Sequence, residues 1–244
     1  MIGVCKYIKT FLFCVLMLSG LFISAQIKAG KIVYERKTNL YKKFKGDDVK
    51  EWLKESDKNK VDVFELYFND SLSVFKPQES DLKETMNWAT SKNQVYQNSK
   101  TKQRITVKTI WGEELIVQDS LYKRTWKITE STRKIAGYEC RKAIWQANDS
   151  TRLYAWYCNE IEPSIGPESF IGLPGAILGL ATEDGGVIYF AKSVIVESTP
   201  TEKLLLKKTK KKIYASDELK KRLEKDFGKE KWGKSMIREH FGIW

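Results

Sequence analysis

The chain has 244 residues, 42% of them hydrophobic and 30% charged, with a formal net charge of +12 at pH 7. That length suits one domain, or one domain with an appendage, and buries enough surface to fold without disulfides. One histidine, His240, excludes a metal site built on several histidines, and no cofactor is expected.

Lys6 and Lys9 precede an almost wholly apolar run, Thr10–Ile23, which ends in the small-residue exit Ser24–Ala25–Gln26. Residues 1–25 therefore read as a secretory signal peptide. The run is shorter than the ~20 apolar residues that a membrane span needs. Two lysines and no acids leave with it, so the net charge falls from +12 to +10. No second long apolar run follows, and no membrane span is expected after cleavage. The expected location is outside the cytoplasm, in the periplasm or cell envelope.

Residues 26–200 read as an antiparallel β domain. Strands are expected at Lys31–Arg36, Val61–Phe68, Leu72–Phe75, Gln94–Gln97, Ile105–Trp111, Glu114–Asp119 and Tyr122–Ile128. Asn69–Asp70–Ser71 and Gly112–Glu113 supply turns between neighbours. A short charged helix is expected over 47–55, with Val49, Trp52 and Leu53 at helical spacing. Many short strands separated by turn signals indicate a mainly β fold, a meandering antiparallel sheet or open half-barrel.

Gly137–Ala147 and Thr151–Cys158 flank Asn148–Asp149–Ser150 as a hairpin. Pairing Ala147 with Thr151 sets Cys140 directly opposite Cys158, within reach of a disulfide. Export removes Cys5 and Cys14 with the signal and supplies the oxidising compartment. Alternation puts Tyr138, Cys140, Ile144, Tyr154, Trp156 and Cys158 on one face. Ala143, Trp145, Leu153, Ala155 and Tyr157 take the other. The loop Asn159–Gly175 carries three prolines and three glycines, and Leu173–Pro174–Gly175–Ala176 fits a type II turn. Strands Ala176–Thr182 and Val187–Val196 follow.

Residues 201–244 form a basic, partly helical segment. From Thr199 onward, fourteen Lys and Arg face seven Asp and Glu, densest at Lys207, Lys208, Lys210, Lys211 and Lys212. Ser216 can cap a helix in which Leu219, Leu223 and Phe227 recur every four residues. The lysines suit either a solvated face or an acidic surface. Export makes nucleic acid an unsuitable partner.

Gly172–Leu173–Pro174–Gly175–Ala176–Ile177–Leu178 carries a resemblance, together with Trp126–Lys127–Ile128–Thr129, Gly137–Tyr138–Glu139–Cys140 and Ala155–Trp156–Tyr157. In this order the pieces resemble the GLPGLI family of exported bacterial envelope proteins, over about Trp111 to Phe190. Ala176 stands where that family usually has Leu, and Cys158 where Thr follows Trp-Tyr. The resemblance implies a signal peptide and an envelope location, but no activity.

Two functions are weighed. The first is a non-enzymatic binding or accessory module for a peptide, an apolar ligand or an outer-membrane protein, with Trp126, Trp145, Tyr154, Trp156 and Tyr157 as contacts. The alternative is a hydrolase using carboxylates of the Glu160–Glu168 loop, where Glu160, Glu162 and Glu168 cluster in sequence.

Overall fold

The structure, a computed structural model, describes residues 26–44, 53–79 and 85–243. The signal-peptide reading of residues 1–25 lies outside the described residues, as does most of the helix expected over 47–55. Glu55 opens a 3₁₀ turn, Glu55–Asp57.

The described residues form one sheet of β1 (Gly30–Asn39), β2 (Asn59–Phe68), β3 (Leu72–Pro77), β4 (Gln94–Asn98), β5 (Gln103–Ile110), β6 (Glu113–Ser120), β7 (Lys127–Ile135), β8 (Tyr138–Asn148), β9 (Thr151–Cys158), β10 (Ala176–Thr182), β11 (Val187–Val196) and β12 (Ile213–Tyr214). Across the sheet the order is β12-β6-β5-β4-β3-β2-β1-β11-β10-β9-β8-β7. Two meanders, β2–β6 and β7–β11, are joined by β1, which pairs antiparallel with β2 on one edge and β11 on the other. Among the described strands, β12 alone pairs parallel, lying along β6, and outside them Ile27 makes an isolated parallel bridge with Ile161. A single helical turn, α1 (Leu40–Lys43), follows β1, and two longer helices close the chain, α2 (Ser216–Phe227) and α3 (Lys231–Phe241). The fold is mainly β, a meandering open sheet with C-terminal helices, as the sequence indicates.

One strand differs from the expectation. β7 covers Lys127–Ile135 rather than Tyr122–Ile128, because it is the sheet's edge and almost all of it faces solvent. An edge strand needs no apolar alternation, and charged side chains there discourage pairing with other chains.

The sheet must curl. β6 and β8 stand nine places apart in its order, roughly 43 Å if flat at ~4.8 Å per strand, yet Val117 and Trp145 line one cavity. The inward row runs through Tyr34, Phe64, Phe75, Tyr189 and Leu180, all buried. Phe64 and Phe75 stack at 4.8 Å. The loop carrying Ile161, Ile165, Phe170 and Leu173 fills one end of the concave face. At the other end, Leu219 and Leu223 of α2 and Ile237 of α3 pack on Ile110, Leu115 and Val117. The apolar stripe of α2 therefore docks on the sheet and leaves Lys221 and Lys225 exposed. Lys211 and Lys212 pair with Glu114 and Glu218. Ser216 is not the cap: Ala215 occupies that position without a side-chain bond, and the Ser216 N–H donates to Asp119 Oδ1 at 3.2 Å. A carboxylate from β6 thus serves the N-terminus of α2.

The β8–β9 hairpin keeps the expected register, with Arg141 opposite Tyr157, Ala143 opposite Ala155 and Trp145 opposite Leu153. Its turn is one residue tighter, because Asn148 pairs with Thr151 after a bulge. The two faces divide by parity as expected. The disulfide, however, is not formed: Cys140 and Cys158 are free, fully buried thiols. The register brings them close, but burial and the neighbouring Cys158 push the Cys140 thiol up to about 12, and burial also raises Cys158.

The expected type II turn is also absent. The Ala176 N–H donates to the Ile161 carbonyl, and Gly175 bonds back to Leu173. Gly175 adopts φ +136°, and a Cβ there would lie 2.0 Å from the Cys158 carbonyl oxygen. Glycine is required by this close approach as well as by its dihedral. Gly175→Ala should therefore destabilise the protein by at least about 2 kcal/mol, read as a lower urea midpoint. An unchanged midpoint would show that the loop relaxes freely.

Candidate functional site

The seam between the two fillings of the concave face is polar. Register places Val95, Thr106 and Val117 in one inward row of β4–β6, and Gln97, Arg104 and Asp119 in the next. Lys108 stands one step further along β5. Except for Gln97, these side chains, together with Arg124, the Glu168–Ser169 loop and the end of α3, line a cavity of about 280 Å³.

Three cations meet there. Arg104 pairs with Asp119 at 2.9 Å and donates to Ser169 Oγ at 3.0 Å. Arg124, 5% exposed, donates to the Ser169 carbonyl at 2.9 Å. Its guanidinium lies 3.8 Å from the Phe170 ring and 5.0 Å from Trp145. Lys108 Nζ donates to the His240 carbonyl at 2.7 Å. Among the described residues, no hydrogen bond reaches Arg104 Nε, Arg124 Nε, Asn93 Oδ1 or His240 Nδ1.

The electrostatics follow from this packing. Burial pushes Lys108 down to about 8, with Arg104 adding to the effect and Glu168 and Asp119 opposing it. Burial and Arg104 lower Arg124 to about 10. Both remain charged at neutral pH and are held by carbonyl dipoles rather than by a carboxylate. Burial, followed by Lys108, lowers His240 to about 4, so its imidazole is neutral.

Glu168 links the cavity to a second polar cluster. Its Oε1 accepts from Tyr189 Oη at 2.8 Å and lies 3.9 Å from Arg36. Arg36 binds Asp62 at 2.7 Å, and Asp62 also accepts from Thr90 and pairs with Lys60. Burial works to raise the Asp62 pKa, but Arg36, Lys60 and Thr90 outweigh it and hold it below the ordinary value.

The aromatic residues expected to form one contact surface divide between two faces. Trp126 and Trp145 pack with Phe170 on the concave side, where Trp126 Nε1 donates to the Ile171 carbonyl. Tyr157 is buried in the core. Tyr154 and Trp156 lie on the opposite face with Phe190. Only Trp145 lines the cavity. The carboxylates do not cluster either: Glu160 and Glu162 are exposed, and Glu168 is buried against Arg36 and Tyr189. Among the described residues, no group of three or more His, Cys, Asp or Glu side chains is placed to hold a metal.

Sequence reasoning missed Arg104, Lys108 and Arg124. The signal was present in β5, where Arg104, Thr106 and Lys108 alternate with Ile105 and Val107. Such alternation reads as polar residues facing solvent, whereas here the polar side faces inward.

The curled open sheet, its C-terminal helices and the polar seam define a mainly β domain with a cavity on its concave face. Residues 53–222 match the family described as N-glycanase peptide, N-terminal domain, and the chain belongs to that family. Solved structures of PNGF-II in the C2 and P21 space groups share the fold, each with a TM-score of 0.51. They are 18% and 16% identical over 77% and 76% of this chain. The chain spans about a third of their length, 31% in both cases. No curated protein sequence matches it.

His240 gives the site a pH signature. Its folded pKa lies below its unfolded value of 6.5, so its contribution is present above pH 6.5 and is lost as pH falls toward 4. Urea unfolding at pH 7 and pH 4.5 should show the wild type losing on the order of 2 kcal/mol more than His240→Gln. Equal losses would mean that the imidazole titrates as if exposed.

Proposed function

We propose that this chain is a non-enzymatic binding module of an exported envelope protein, with its ligand held in the cavity between Ser169 and α3. One observation carries the reading: two buried cations, Arg124 and Lys108, line the cavity and, among the described residues, hydrogen-bond to carbonyls and to no carboxylate. Burying cations without carboxylates is unfavourable for folding, and a ligand that supplies acceptors removes the penalty. The volume, near the lower end of small-molecule pockets, suits a compact polar ligand better than a peptide or an extended apolar chain. The family's description as an N-terminal domain supports an accessory role beside chemistry located elsewhere. The GLPGLI resemblance and the apolar leader support the envelope location.

The exposure of Glu160 and Glu162 and the engagement of Glu168 by Tyr189 support this reading over a hydrolase built on that loop. Ligand-observed NMR against sugars, sugar acids, amino acids and short peptides tests the proposal. A binder should be found, and Ser216→Phe, which fills the cavity wall, should abolish its signal. Binding that survives Ser216→Phe but disappears with Trp156→Ala would move the site to the opposite face.

A further inference from the structure

The lining of the cavity specifies what enters it. Arg104, Lys108 and Arg124 face two carboxylates, Asp119 and Glu168. Each carboxylate is already engaged, Asp119 by Arg104 and Glu168 by Tyr189. Three cations against two carboxylates, one of them shared with Arg36, leave at least one positive charge without a counter-charge among the described residues. Arg124 lines the cavity with a planar guanidinium that bonds the Ser169 carbonyl and has no carboxylate partner among the described residues. A guanidinium in that state matches a planar oxyanion that can accept two parallel bonds. The nearby Asp119 and Glu168 weigh against a dianionic phosphate, which they repel more strongly than a monoanion.

The rest of the lining is uncharged and polar. Thr106, Ser169 and Ser216 bring hydroxyls to the walls, beside the amide of Asn93. Hydroxyls and amides of this kind both donate to and accept from a hydroxylated ligand. Trp145 forms part of one wall, and Tyr122, largely exposed, stands at the rim. Aromatic planes there suit the less polar face of a ring. At about 280 Å³ and ~30 Å³ per water, the space holds on the order of ten non-hydrogen atoms.

We propose that the cavity takes a small hydroxylated monocarboxylate, about the size of one sugar-acid unit, with its carboxylate on Arg124 and its hydroxyls toward Asn93 and the seryl wall. This rests on the cavity being the ligand site, and the test separates the two ideas. Isothermal titration at constant ionic strength and pH 7 would use four probes: D-glucuronate, D-glucose, acetate and inorganic phosphate. Glucose keeps the hydroxylated ring without the carboxylate, and acetate keeps the carboxylate without the ring. Glucuronate should bind at least tenfold more tightly than each of the other three.

Arg124→Gln should weaken glucuronate at least tenfold, with a melting temperature equal to or above that of the wild type, because a buried cation has been removed. Arg124→Lys, which keeps the charge but not the fork, should fall between them. If Arg124→Gln does not fold, Lys108→Met takes its place and should also weaken glucuronate. Equal binding of glucose and glucuronate, both lost in Ser216→Phe, would overturn the carboxylate inference and leave the cavity reading standing. Tighter binding of phosphate would overturn it as well. If none of the four probes binds and the wider NMR screen finds no ligand lost in Ser216→Phe, both ideas fall.

Discussion

Arg36 is the constraint on which the rest of the structure depends. It points inward from the central strand, the one strand bonded to both meanders, and is 5% exposed. Burial pulls its pKa down, and Tyr189, Asp62 and Glu168 more than reverse the effect and raise it. A guanidinium so placed must be neutralised and hydrogen-bonded from several directions. Asp62 comes from β2, Tyr189 from β11, Glu168 from the long loop, and the Ser91 carbonyl from the segment before β4. One cation therefore ties both halves of the sheet and the loop to β1. It also stacks 4.7 Å over Phe64, so the polar network and the apolar core share one wall.

The loop conveys that constraint to the cavity. Glu168 reaches Arg36 and Tyr189 with its backbone at φ 55°, a left-handed conformation that costs a non-glycine residue about 1–3 kcal/mol. The neighbouring Ser169 holds Arg124 through its carbonyl and Arg104 through its hydroxyl. Phe170 then supplies the ring under Arg124. Three consecutive residues thus turn a core requirement into the positions of two cavity cations. Tyr34 secures the start of β10, where the loop ends, by donating to the Ile177 carbonyl at 2.7 Å.

The strands and their pairing were legible because they rest on local signals. β10 and β11 were bounded by glycine turns, and the hairpin register followed from a short polar turn and period-two alternation. β7 was misplaced because nothing covers it, so selection for burial left no pattern in Lys127–Lys134. The cavity was far less legible. Lys108 and His240 are 132 positions apart, Arg104 and Ser169 are 65, and Arg124 and Ser169 are 45. No local spacing encodes such meetings; they follow from the curl of a twelve-stranded sheet. Aromatic residues drew attention in the sequence because of their size, yet in the fold most of them serve packing on two separate faces.

The two charge clusters differ in how their ions are compensated. Around Asp62 the cations have carboxylate partners, and Asp62 itself is held ionised below its usual pKa. That arrangement is self-sufficient and needs nothing from outside. In the cavity, Lys108 and Arg124 are both shifted toward their neutral forms, so their charged states are less favourable in the fold than in water. For Lys108, the unfolded chain binds more protons than the native one between about pH 8 and its ordinary 10.5, so the penalty eases as pH rises through that window. A core shaped by stability alone would replace such a group with methionine or leucine at little cost. Anything that supplies acceptors to Lys108 and Arg124 in the native state would stabilise the fold through the same electrostatic term that their burial makes unfavourable.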